Sequence, residues 1–165
     1  MGMLTSQRSV CLKVTALVIF IITSAAANAQ SAYELIEAFN LPKGLLPQGV
    51  TEYSLENETG KFSASFNGSC EFSLEGSYQL KYKSTIRGYI RNGQLSNLQG
   101  VSVKLFFFWA DIVQVYRSGN SLEFSVGIAS AGFPVDNFEE SPRCGCGLDC
   151  AGRGRLRFTR SPLLT

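Results

Sequence analysis

Histidine is absent from this chain. That excludes Ser-His-Asp and Cys-His nucleophilic catalysis and removes the commonest metal ligand. It also leaves no side chain whose ordinary pKa lies close enough to neutrality to serve as a routine general base. There is no Gly-rich phosphate loop, no Rossmann glycine pattern and no G-x-S-x-G elbow, so the common nucleotide-binding and hydrolase signatures are missing too. Neither sign of charge dominates, with 15 Lys and Arg against 13 Asp and Glu. The one basic cluster, Arg153, Arg155, Arg157 and Arg160, stands at the end of the sequence, and nothing points to nucleic acid. No internal repeat of solenoid length is visible.

What the chain does have begins with a leader. Arg8 and Lys13 give a basic start, residues 14–22 (VTALVIFII) a short apolar core, and Ala27-Asn28-Ala29 a small-residue cleavage site. This is the order of a secretory signal peptide over residues 1–29. Its apolar run falls well short of the roughly 20 residues of a membrane-spanning helix, so no membrane span is expected. The expected location is extracellular. Two glycosylation acceptors fit that route, Asn57-Glu58-Thr59 and Asn67-Gly68-Ser69.

Cys11 belongs to the leader, leaving Cys70, Cys144, Cys146 and Cys150. An even number in a secreted chain predicts two disulfides. A Cys144–Cys146 ring would be very tight, so Cys70 pairs with either Cys144 or Cys146, and Cys150 takes the other. A zinc site is disfavoured by the spacing and by the missing histidine. No metal or cofactor is expected.

Ser31 and Glu34 form a capping box, and Ala32, Leu35, Ile36 and Phe39 share one face of a short amphipathic helix that Pro42 ends. The connector LPKGLLP (residues 41–47) reads as a lid over one end of a sheet, or as an apolar lip beside a ligand entrance. From residue 50 to residue 128 apolar and polar residues alternate in short segments punctuated by turns. Asn67-Gly68 and Asn92-Gly93 give hairpin signals. The fold expected is mainly β: an antiparallel meander closing into a barrel or sandwich, with one short N-terminal helix. The domain spans residues 30–144, and a Cys/Gly/Arg-rich tail covers residues 145–165.

The most apolar stretch, GVSVKLFFFWADIVQV (residues 100–115), reads as one central strand. Period two puts Val101, Val103, Leu105, Phe107 and Trp109 on one face, and predicts Phe107 and Trp109 in the main core. Phe106, Phe108 and Ala110 make the opposite face apolar as well, so both faces must be covered. The helix and the connector could cover the second face completely, or leave a crevice. Phe106, Phe108, Leu45 and Leu46 are therefore the candidate ligand-lining residues, with Asp111, Lys104 and Arg117 as polar groups at the rim. Asp111 is also the one carboxylate placed to be desolvated and so to act as an acid. The simpler reading, a bend on the polar side of the strand, is preferred, and no catalytic residue is assigned.

The blocks LPKGLLPQGV, Tyr53, TGKF, Cys70, TIRGYIRNGQLSNLQGVSVK, FFFW, FSVG and SAGFPVDNFEESPRC occur in an order that resembles the plant family catalogued as domain of unknown function 538. The resemblance runs from about Leu41 to Cys144. It implies a β-rich fold compared with one lobe of the bactericidal/permeability-increasing protein, a lipid-binding architecture. It also implies a pairing of Cys70 with Cys144, and suggests lipid or chlorophyll-derivative binding or esterase-like activity. The family offers no agreed catalytic residue to carry over. Three functions follow as expectations. The first is a secreted module that binds an apolar or amphipathic, lipid-like ligand without turnover. The alternatives are a weak carboxylate-based esterase and an apoplastic interaction protein of unknown partner.

Overall fold

The computed structural model describes residues 30–74, 78–148 and 150. The predicted leader and the arginine cluster lie outside the described residues. The domain starts with the capping box. Ser31 Oγ accepts from the Glu34 amide at 3.2 Å, and the Glu34 carboxylate accepts from the Ser31 amide at 2.7 Å. Two of the otherwise unpaired amides of helix α1 (Ala32–Ala38) are satisfied in this way. Its Ala32, Leu35 and Ile36 are buried, and Phe39 packs partly against them. Asn40, at a φ of 59°, turns the chain out of the helix. The connector follows with a 3-10 turn at Lys43–Leu45, and Leu41, Leu45, Leu46 and Pro47 are all buried. It is a lid.

Nine strands make one antiparallel sheet: β1 Val50–Glu56, β2 Lys61–Phe66, β3 Cys70–Leu74, β4 Tyr78–Arg91, β5 Gln94–Leu105, β6 Phe108–Asp111, β7 Gln114–Ser118, β8 Ser121–Ser125 and β9 Ser130–Pro134. The spatial order is β1-β2-β4-β5-β7-β8-β9, with β3 beside β4 and β6 beside β5. The sheet is therefore not closed by hydrogen bonds; β1 and β9 end it. It nevertheless curls. The rings of Tyr78 on β4 and Phe133 on β9 meet edge to face with centroids 5.6 Å apart, although three strands separate β4 from β9 in the order. The alternating residues Phe62, Ala64, Phe66, Cys70, Phe72 and Leu74 of β2 and β3 fill the inside, together with Tyr82, Ile86 and Ile90 of β4.

The sheet is built around β4 and β5, its two long strands. Each carries two short strands in succession along its other edge. β2 pairs with the later part of β4 and β3 with the earlier part, both antiparallel to it. Asn67-Gly68 therefore does not make the hairpin that the sequence predicts. Residues 66–69 lie opposite residues 83–84, so the extra residues form a bulge that bends the edge. The pairing of β4 with β5 also shifts register twice, between Tyr82 and Arg87 and between Arg87 and Tyr89. Gly100 sits at this bend with a φ of +89°, and a Cβ there would stand 2.8 Å from the Thr85 carbonyl oxygen. Both facts require glycine.

The stretch read as one central strand is a hairpin. β5 ends at Leu105, Phe106 and Phe107 turn, and β6 returns from Phe108, with Leu105 opposite Phe108 and Val103 opposite Ala110. A two-residue turn reverses the parity of the alternation. Val101, Val103 and Leu105 face inward before it, and Phe108, Ala110 and Ile112 face inward after it. The two apolar faces of the sequence are thus one inner face folded back on itself, while Trp109 and Asp111 point outward with Lys104 and Ser102. The expectation that Phe107 and Trp109 lie in the core is overturned: Phe107 is 99% exposed and Trp109 39%. α1 and the lid do not cover this hairpin. They close the opposite end, where the Phe39 carbonyl accepts from the Gly93 amide and Arg117 Nη1 donates to Asn40 Oδ1 at 3.0 Å.

Disulfides join Cys70 to Cys144 and Cys146 to Cys150. The first ties the C-terminal segment to the free edge of β3, where the Gly145 amide donates to the Glu71 carbonyl. Gly147 is buried against Ser73, and Leu148 reaches the interior. The folded unit therefore continues past residue 144, where the sequence places its boundary.

Two measurements check this fold. Phe62→Ala, at a fully buried position, should destabilise by roughly 3–5 kcal/mol, whereas Phe107→Ala should change stability by less than about 0.5 kcal/mol. Denaturant titration of both variants reads the difference, and a large loss at Phe107 would restore the single-strand reading. Removing the Cys70–Cys144 link by a Cys70→Ser/Cys144→Ser double substitution opens a connection of 74 residues in sequence. It should cost roughly 4 kcal/mol on the chain-entropy account.

Candidate functional site

The curled sheet is packed unevenly along its length. At the lid end, Leu45 and Leu46 meet Ile86, Leu95, Leu98 and Val115 around a void of only about 40 Å³. The Tyr82 hydroxyl donates to the Leu45 carbonyl at 3.2 Å, and burial pushes its phenol pKa upward. Toward the other end the interior widens into a cleft of about 190 Å³. One wall is the β3–β4 pair, through Leu74, Tyr78 and Leu80. The second is β5 with Val103 and Leu105, continued by Ile112. The third comes from the β8–β9 hairpin, through Phe124, Val126, Ala129, Ala131 and Phe133. Phe138, stacked on Phe124 at 5.3 Å between centroids, lies between the void and the cleft and lines both.

Among the described residues the lining includes two with polar side chains, Tyr78, which faces inward, and Ser130, whose register partner Ser125 puts it on the outward parity at the cleft's margin. A lining of this kind holds apolar groups and offers water few partners; an engineered apolar cavity of about 150 Å³ stays dry and binds benzene. The local reason for the cleft is the small size of what faces it. Ala129, just before β9, and Ala131 within it stand where a barrel interior would need large side chains.

Of the ligand-lining candidates, Leu45 and Leu46 border the smaller void and belong to the lid. Phe108 shares the inward face with its register partner Leu105, but stands beyond the cleft and is 56% exposed. Phe106, in the turn, is 89% exposed. Neither lines the cleft. The proposed polar rim also dissolves. Lys104 and Asp111 lie on the outer face, Asp111 accepting from Ser102 Oγ at 2.6 Å, and Arg117 is engaged with Asn40 and Gly119. An exposed carboxylate bonded to a serine hydroxyl on the outer face is the ordinary polar side of a strand. The cleft-lining residues of the β8–β9 hairpin carry no signal of their own in sequence, where FSVG reads as one more stretch of the alternation that runs to residue 128.

The two acceptor asparagines are exposed, Asn57 in the turn between β1 and β2 and Asn67 in the bulge between β2 and β3. Among the described residues there is no group of three or more His, Cys, Asp or Glu that could hold a metal ion, and no helix long and apolar enough to cross a membrane.

A single open antiparallel sheet curled around an apolar cleft, capped at one end by a short helix and a lid, defines a β-rich domain with an apolar interior. Residues 32–139 match the family described as "Protein of unknown function, DUF538", and the chain belongs to that family. It is also similar to the uncharacterized protein At5g01610 of Arabidopsis thaliana, with 26% identity over 95 residues. That similarity covers 58% of this chain, which spans about half, 55%, of the length of that relative.

Proposed function

We propose that this protein is a secreted module that binds an apolar or amphipathic, lipid-like ligand in the cleft between β3–β4, β5 and β8–β9 without turning it over. The observation that carries this reading is the cleft itself, about 190 Å³ lined by apolar side chains on three walls. An aliphatic chain or a single ring is the chemical class that such walls accept, because each buried methylene gains roughly 0.8 kcal/mol and no buried polar group is left unpaired. Tyr78 offers a hydroxyl to a polar head. The absence of histidine from the sequence and the place of Asp111 on the outer face support binding without turnover. Two disulfides, exposed asparagines in both glycosylation motifs and the leader-like residues 1–29 support the secretory route.

Titration with a fluorescent fatty acid and a lysolipid tests the site. Ala131→Trp fills the cleft and should weaken binding at least about tenfold, while Asp111→Ala should leave it unchanged. Unaltered binding in Ala131→Trp would place the ligand elsewhere. Ester hydrolysis that disappears in Asp111→Ala would overturn the proposal in favour of an enzyme. The secretory route has its own check. Protein recovered from plant culture medium should begin at Gln30 and carry a glycan on Asn57; a product beginning at Met1 would contradict it.

A further inference from the structure

The cleft leaves unexplained a set of exposed apolar side chains. Phe106 and Phe107 form the tip of the β5–β6 hairpin, and Phe108 follows half-exposed. Ile128, 97% exposed, stands at the tip of the loop between β8 and β9. Scattered exposed apolar residues are ordinary. These are not scattered, because both loops leave from walls of the same cleft, through Leu105 on one side and Val126 and Ala129 on the other. Phe106 also holds a φ of 53°, a left-handed conformation that is unfavourable for a bulky residue and that glycine or asparagine would adopt with ease. A polar, relaxed turn would fit the hairpin better, yet the chain places three consecutive phenylalanines there.

We propose that these two tips dock into the surface of a lipid bilayer, so that the cleft faces the membrane. Size favours a bilayer over a folded partner. A covered aromatic side chain buries on the order of 150–250 Å², so the tips together offer roughly 600 Å². A stable protein interface takes about 800 Å² from each partner, and a narrow two-residue turn is a poor platform for one. A bilayer needs no matching surface, only depth. Behind the phenylalanines stands the collar that a membrane interface favours: Trp109, with Lys81 Nζ 5.7 Å from its ring centroid and Lys104 as its register partner. Docking stands on the exposed tips alone. Passage of a ligand between bilayer and cleft rests on the cleft-binding reading above.

The experiment uses protein purified from the medium of cells expressing the full chain, mixed with phosphatidylcholine vesicles with and without phosphatidylglycerol. Wild type should co-sediment with vesicles, and Phe106→Ser/Phe107→Ser should lose at least about tenfold in partitioning. Trp109 is the only tryptophan in the chain, so its emission should shift to the blue on vesicle addition in wild type and not in the variant. Both substituted positions are exposed, and an unchanged melting temperature confirms that the variant is folded. Fatty-acid titration without vesicles separates the two proposals: the tip variant should retain the wild-type affinity, whereas Ala131→Trp should lose cleft binding and keep vesicle binding. Equal vesicle partitioning of wild type and tip variant overturns the docking proposal. So does a concentration-dependent dimer in sedimentation velocity that the tip substitutions abolish, since the tips would then cover a second copy of the chain.

Discussion

The structure depends on the bending of one long hairpin. β4 and β5 run for 14 and 12 residues and could not stay straight without exposing one apolar face of each. The register shifts between them, and Gly100 with its backbone against Thr85, turn the pair through the curve that gives the sheet an inside. The short strands are attached to that curve: β2 and β3 along the outer edge of β4, β6 and β7 along the outer edge of β5. Each of these two edges is interrupted where the hairpin bends, by the bulge at residues 66–69 on one side and by the Ile112-Val113 link on the other. There the Ile112 amide donates to Val101 and the Leu98 amide to Val113, which keeps the backbone paired across the break.

From that curve the two ends acquire different characters. One end receives α1 and the connector, whose leucines and Pro47 occupy the interior so fully that little space is left. The other end is walled by hairpins, and the β8–β9 hairpin contributes Ala129 and Ala131 where larger side chains would have closed the gap. The Cys70–Cys144 disulfide acts across this arrangement: it holds the segment that follows the Val135–Phe138 turn, and with it Phe138, against the core between void and cleft. The cleft and the exposed tips both belong to the end of the curled sheet that no described helix or lid covers.

Much of this was legible in the residues. The capping box, the buried stripe of α1, the inward alternation of Phe62, Ala64 and Phe66, the mainly antiparallel fold and the family each depend on local spacing or on a sequence of blocks, and local spacing survives folding unchanged. The four cysteines outside the predicted leader narrowed the pairing to two choices, and the family resemblance pointed to the one that the structure contains.

What sequence could not decide was parity and partnership. Phe106 and Phe107 carry no turn signal, so an alternation that runs straight through them puts Phe107 and Trp109, instead of Phe108 and Ala110, on the face of Val103 and Leu105. Asn67-Gly68 carries the same Asn-Gly signal as Asn92-Gly93 yet makes a bulge, because β2 and β3 both find their partner in β4 and not in each other. Whether two residues reverse a strand or merely bend it is set by which backbone supplies the hydrogen bonds on either side. For β2 the partner residues, Thr85 to Tyr89, lie beyond the whole of β3 in the chain. The chain's own spacing fixed which residues are apolar and how they alternate; the curl of β4 and β5 decided which of them are buried, which line the cleft, and which stand in solvent at its end.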